Sequence, residues 1–246
     1  MTWVLDLDGV VWLASQPIPG APEAVARLRA AGERVVFATN NSAPVVAEQE
    51  AKLARLGIPA AGAVLSSAMA AARLVEPGEQ VLVCGGPGVG EAMAARGAVP
   101  VTGGDADVVV VGFHREFDYE RLRAAARAVM RGARLLGTND DATYPTPDGP
   151  IPGAGSLLAA VAYASGATPV VAGKPHPPMA DLVRAAGGAE GTVVGDRPDT
   201  DGVFARQLGY RFALVLTGVT RPGDLPVDPA PDVVAGSLAA LVPGGQ

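Results

Sequence analysis

Short apolar runs recur along the chain, and between them apolar and polar positions follow helical spacing. Runs at 3–5, 34–38, 64–65, 80–84, 107–112, 134–137, 169–172, 192–195 and 212–216 read as buried strands. Helices are expected over 22–31, 44–56, 67–74, 90–95, 119–130, 154–164, 200–208 and 237–241. The first carries Ala24, Val25 and Leu28 on one face and stops at Gly32; the fifth carries Leu122, Ala126 and Val129 as one stripe. Ser42 is a natural N-cap for the helix over 44–56. Strand and helix alternating through short connections specify a parallel α/β sheet. Pro17 and Pro19 keep 10–19 irregular. Glu76-Pro77-Gly78-Glu79 marks a seam, and a second alternating set follows it.

Polar loops of distinct kinds follow certain of these strands. Asp6-Leu7-Asp8-Gly9 places two carboxylates on one side of the first strand's end, because side chains alternate along a strand. Such a pair repels itself unless a cation or a shared proton intervenes, and Gly9 lets the backbone turn and approach a ligand. The same stretch reads equally as an Asp-rich turn. Thr39-Asn40-Asn41-Ser42 offers hydroxyl and amide donors before a helix, suiting an anion or simply capping. Gly173-Lys174-Pro175 puts a lysine beyond an apolar run, and Gly195-Asp196-Arg197-Pro198-Asp199-Thr200-Asp201 sets three acids after a strand. Converging on one sheet edge, these loops would form a magnesium site for phosphoryl transfer.

Composition narrows the partners. A net charge of −6 over 246 residues argues against nucleic acid or an anionic membrane, so an acidic chain handling phosphate needs a metal ion. No apolar stretch approaches the length of a membrane span and no basic, apolar leader precedes the first strand, so the cytoplasm is the expected compartment. The single cysteine, Cys84, excludes an intrachain disulfide and reads as a small buried hydrophobe. Seventeen arginines stand against only two lysines, Lys52 and Lys174, which makes a lysine in a loop notable.

In order and spacing, the four loops resemble motifs I to IV of the haloacid dehalogenase-like superfamily. The chain is more narrowly similar to its class IIA, the NagD-like or p-nitrophenyl phosphatase-like group. Gly137-Thr138-Asn139-Asp140-Asp141 and Pro152-Gly153-Ala154-Gly155-Ser156 match that group too. The resemblance implies a doubly wound, Rossmann-like parallel-sheet core, 1–76 and 167–246, with a smaller α/β cap inserted at 77–166. It implies Asp6 as nucleophile forming an aspartyl-phosphate, Asp8 as general acid and base, and Gly9, Thr39, Asn40 and Lys174 around the phosphoryl group. Asp6, Asp8 (through its backbone carbonyl) and Asp196 would hold Mg²⁺, with Asn41 and Asp201 supporting from outside. Asp141 and Tyr144, on the loop over 140–149, would select the substrate, although Tyr144 reads equally as a loop aromatic packed under Pro145.

The expected protein is thus a Mg²⁺-dependent phosphatase of a small phosphate monoester, with a homodimer through the cap implied by similar proteins. A phosphate-ester binding module, or a phosphotransferase or mutase, is the alternative on the same fold. Gly85-Gly86-Pro87-Gly88-Val89-Gly90 misses the dinucleotide-binding spacing and reads as a tight turn. Ser156 lacks the flanks of a nucleophile elbow, and His114 and His176 read as surface or loop residues. Pro198 and Gly202 stand where similar proteins carry aliphatic residues.

Overall fold

A computed structural model gives the structure and describes residues 1–13, 16–146 and 148–244. The chain opens with strand β1 (Thr2–Leu5), a small hairpin of β2 (Trp12–Leu13) and β3 (Gln16–Pro17), helix α1 (Ala21–Ala30) and β4 (Arg34–Thr39). Next come α2 (Val46–Arg55), β5 (Val64–Ser66), α3 (Ser67–Ala72), β6 (Gln80–Cys84), α4 (Pro87–Ala95) and β7 (Val99–Val101). After β8 (Val108–Val111), α5 (Tyr119–Met130) and β9 (Arg134–Gly137) follow the hairpin β10 (Thr143–Tyr144) and β11 (Ile151–Pro152), then α6 (Ala154–Ser165) and β12 (Val170–Val171). The last part holds α7 (Pro177–Gly187), β13 (Gly191–Gly195), α8 (Val203–Leu208), β14 (Arg211–Val215), β15 (Val233–Ala235) and α9 (Leu238–Leu241).

Two compact units result. The first comprises Met1–Thr39, Ala47–Leu65 and Lys174–Gln246; the second comprises Asn40–Val46 and Ser66–Gly173. In the first, the sheet order is β15-β14-β13-β1-β4-β5. The pairings of β1 with β13 and β4, and of β14 with β13 and β15, are parallel. Leu5 lies opposite Val194 on one side and Phe37 on the other. The residues that follow these three strands therefore emerge side by side at their carboxyl ends, where the chain order reverses and α/β sheets bind ligands. Phe37, Phe204 and Phe212 are fully buried, each stabilising by about 1.5–3 kcal/mol relative to exposure.

The second unit has its own sheet, β12-β9-β8-β6-β7, with parallel pairings throughout. β8 is four consecutive buried valines, the pattern of a parallel strand covered on both faces. Leu82, Val109, Leu135, Leu158 and Val161 are among the residues of its core. Cys84 is buried there, and burial pushes its thiol up to about 11, so it behaves as a small hydrophobe.

Several expectations need correction. The stretch 10–19 is not wholly irregular, since β2 and β3 pair within it. The helix expected from 44 starts at Val46, whose N–H donates to Glu91 Oε2 at 3.0 Å. Ser42 does not cap it; the Ser42 and Thr138 hydroxyls share a buried hydrogen bond of 2.9 Å. Helix α7, which Pro177 opens, was not anticipated, nor were β7 and β15. Helix α4 begins at Pro87, earlier than expected. The unit bounds also differ from 76/77 and 166/167. Helix α3 falls within the second unit, and Val170 and Val171 pair with Leu136 and Gly137 of its sheet.

Candidate active site

Asp6 directly follows β1, and its N–H continues the ladder to the Val194 carbonyl at 2.9 Å. Lys174 is 2% exposed, and its Nζ lies 2.9 Å from Asp6 Oδ1 and 2.7 Å from Asp201 Oδ1. Asp201 sits on a π-helical turn, Pro198–Gly202, between β13 and α8, a geometry common at functional sites. The Asp201 Oδ2 accepts the Arg197 N–H at 3.2 Å. Asp196, at the end of β13, accepts the Val219 N–H on Oδ2 at 2.6 Å.

Two glycines make room for the Asp196 carboxylate. Gly9 has φ +84°, and a Cβ there would lie 2.4 Å from Asp196 Oδ2. At Gly218 a Cβ would meet the same oxygen at 1.9 Å. The Thr217 hydroxyl donates to the Gly9 carbonyl at 2.5 Å, tying the loop after β14 to the loop after β1. The sequence reading assigned no role to 217–220. Its signal was a Thr-Gly pair directly after the strand beside β13.

Asp6, Asp196 and Asp201 each offer a carboxylate oxygen within 4.8 Å of the others. Burial raises the Asp6 pKa well above its ordinary value, with Asp201 and Asp196 adding to the rise while Lys174 opposes it. Burial first, then the Asp201 charge, push Asp196 up to about 7. Burial alone would lower Lys174, but Asp201 and Asp6 outweigh it and hold the ammonium charged. Three carboxylates against one ammonium leave two negative charges when all are ionised, a set of hard oxygens that fits a divalent cation such as Mg²⁺.

Asp8 lies beside this cluster without joining its carboxylates. Its Oδ1 accepts the Trp12 Nε1–H at 2.9 Å, and burial raises its pKa against the opposing effects of Trp12, Lys52 and Lys174. Trp12 and Lys52 are further residues that the sequence reading left without a role. Thr39 ends β4, buried. The second unit holds the remaining predicted residues. Asn40 Nδ2 donates to Asp141 Oδ2 at 2.9 Å, and Asn41 Nδ2 lies 3.4 Å from the Tyr144 hydroxyl. The Tyr144 ring stacks on Phe113 with centroids 4.7 Å apart. His114 is half-buried and its Nδ1 accepts the Glu116 N–H, while His176 precedes α7.

Clustered acids and a buried lysine thus stand at the carboxyl ends of a doubly wound parallel sheet, an arrangement that suits a divalent cation. A haloacid dehalogenase-like hydrolase model matches residues 3–99, and a HAD-like hydrolase model matches residues 171–241. D-glycerol 3-phosphate phosphatase of Mycobacterium tuberculosis is 38% identical over 229 residues, covering 90% of this chain but only 64% of that protein. Human chronophin is 37% identical over 242 residues, covering 89% of this chain and 81% of the relative. The p-nitrophenyl phosphatase structure from Archaeoglobus fulgidus superposes with TM-score 0.91 at 32% identity, covering 98% of this chain and 97% of the other. A Mycobacterium tuberculosis glycerol phosphate phosphatase solved with magnesium gives TM-score 0.91 at 36% identity, covering 98% and 76%. The chain belongs to the haloacid dehalogenase-like hydrolases, in their NagD-like, p-nitrophenyl phosphatase-like class IIA. No helix among the described residues is long and apolar enough to cross a membrane.

Proposed function

We infer that this protein is a Mg²⁺-dependent phosphatase acting on a small phosphate monoester. The observation that carries the reading is the buried lysine bridging Asp6 and Asp201, with Asp196 in the same cluster and Asp8 two residues beyond Asp6. Asp6 attacks phosphorus, the ester oxygen leaves, and Asp8 gives that oxygen its proton. Asp8, now a carboxylate, takes a proton from water, whose oxygen attacks the aspartyl-phosphate. Phosphate leaves and Asp6 is restored. Lys174 fixes the attacking carboxylate and neutralises phosphoryl charge, as Thr39, Asn40 and the Gly9 backbone would from the neighbouring strand ends. Asp6, the Asp8 carbonyl and Asp196 would hold Mg²⁺, with Asp201 and Asn41 in support; the ion offsets carboxylate repulsion and polarises a phosphate oxygen.

The second unit is read as the cap, with Asp141 and Tyr144 selecting the ester. Their bonds to Asn40 and Asn41 support this, since those residues directly follow Thr39. Glycerol phosphate, the ester named for the mycobacterial relative, is the first to test. A homodimer through the cap and a cytoplasmic setting complete the proposal; sedimentation at working concentration decides the first. Phosphate release from p-nitrophenyl phosphate, with Mg²⁺ and with chelator, tests the reaction. The native chain should turn over only with metal, and Asp6→Asn should lose at least about 10³-fold. An inert native chain on that ester and on a panel of natural esters would overturn the proposal.

A further inference from the structure

Asp8 has to present its proton on one oxygen, toward the leaving group, and a carboxyl free to rotate would do so only part of the time. We propose that Trp12 is a positioning residue that fixes the Asp8 carboxyl for proton delivery, and that Lys52 in turn holds the Trp12 ring. This rests on the proposed phosphatase reaction.

The backbone determines where the indole goes. Trp12 N–H donates to the Leu7 carbonyl at 3.1 Å, and the Trp12 carbonyl accepts the Gly9 N–H at 2.7 Å. These bonds close a tight turn that bridges Asp8 to Trp12 and buries the ring, leaving it 4% exposed. From there Nε1–H reaches Asp8 Oδ1 at 2.9 Å. Indole nitrogen only donates, so it dedicates Oδ1 to accepting and leaves Oδ2 as the oxygen that carries the transferable proton. The other anchor comes from α2, where Lys52 Nζ stands 3.7 Å from the ring centroid. An ammonium over the ring face attracts it and draws electron density from the indole, strengthening its N–H as a donor. Lys52 is one of only two lysines in the chain; the other is Lys174, in the catalytic cluster.

Leaving groups separate this role from a merely structural one. An alkyl alkoxide needs the acid's proton to depart, whereas p-nitrophenolate departs well without it. The test compares kcat/KM on an alkyl phosphate that the native enzyme turns over with kcat/KM on p-nitrophenyl phosphate, at saturating Mg²⁺. Trp12→Phe keeps a ring under Lys52 but removes the donor. It should lower the alkyl value about 10-fold or more while leaving the aryl value within about threefold. Lys52→Met should give a smaller selective loss of the same kind, restored by Lys52→Arg, which can also cover the ring. Should Trp12→Phe fail to fold, the Lys52 pair carries the test. Equal losses on both esters, or none on either, would overturn the positioning role. A native chain inert on both esters would overturn the phosphatase reading, and this role with it.

Discussion

A carboxylate that holds a cation has to be ionised, yet Asp196 sits where burial and Asp201 push it up to about 7. Asp6 is raised in the same direction. A raised acid favours folding while it is protonated; that contribution is full below the unfolded value of about 3.9 and is lost as pH rises through the folded one. The metal-free protein should therefore lose on the order of 5 °C in thermal midpoint between about pH 4 and 7.5. Magnesium should recover that loss at pH 7.5, because it binds the ionised form. A flat midpoint across that range, or no recovery with metal, would contradict the assignment of these acids. At this scale Asp6, Lys174, Asp196 and Asp201 were legible in the sequence, since each lies at or within a few residues of an apolar run's end. Trp12, Lys52 and Val219 were not. Their contacts depend on where the turn after β1, helix α2 and the loop after β14 pass in space, which spacing along the chain does not encode.

Among the elements, the glycine-rich stretch that runs into α4 shows the same limit differently. It reads as a turn, but only Gly85 and Gly86 precede the helix, and Pro87 to Gly90 belong to it. The structure adds what the glycines face: a Cβ at Gly88 would lie 2.1 Å from the Pro44 carbonyl oxygen and 2.7 Å from that of Ser42. Helix α4 thus lies directly against the segment that follows Thr39, with Gly88 N–H donating to the Ala43 carbonyl at 2.9 Å. Gly88→Ala should destabilise the protein by about 1–3 kcal/mol, because backbone rather than a flexible side chain occupies the space. Denaturant unfolding measures it, and a change below about 0.5 kcal/mol would show that α4 can move aside. Helix α7 was missed although Pro177 at its start and Met179, Ala180 and Val183 on its buried face supply the helical pattern. Pro177 and Pro178 occupy its first turn, where a missing N–H costs nothing.

For the whole molecule, both sheets are parallel and α/β as the alternation predicts, while the limits of the units were the least legible feature. Contacts decide them, and Val170 and Val171 join the second sheet although the first unit resumes at Lys174, three residues on. Net charge also acts at this scale. With −6 overall, the protein repels a phosphate ester dianion at long range. Raising ionic strength from about 0.01 to 0.15 M at saturating Mg²⁺ should raise kcat/KM about twofold. A fall would show that positive charge at the site governs the approach.

The chain leaves the first unit between Thr39 and Asn40 and returns for the last time between Gly173 and Lys174. Both joints are single peptide bonds next to residues proposed to grip the phosphoryl group. A descendant that exchanged Asn40–Val46 and Ser66–Gly173 for another module would keep Asp6, Asp8, Thr39, Lys174 and Asp196 untouched. The nucleophile, the acid, the lysine and Asp196 could be inherited together while the Asn40 contact and the choice of ester were rewritten.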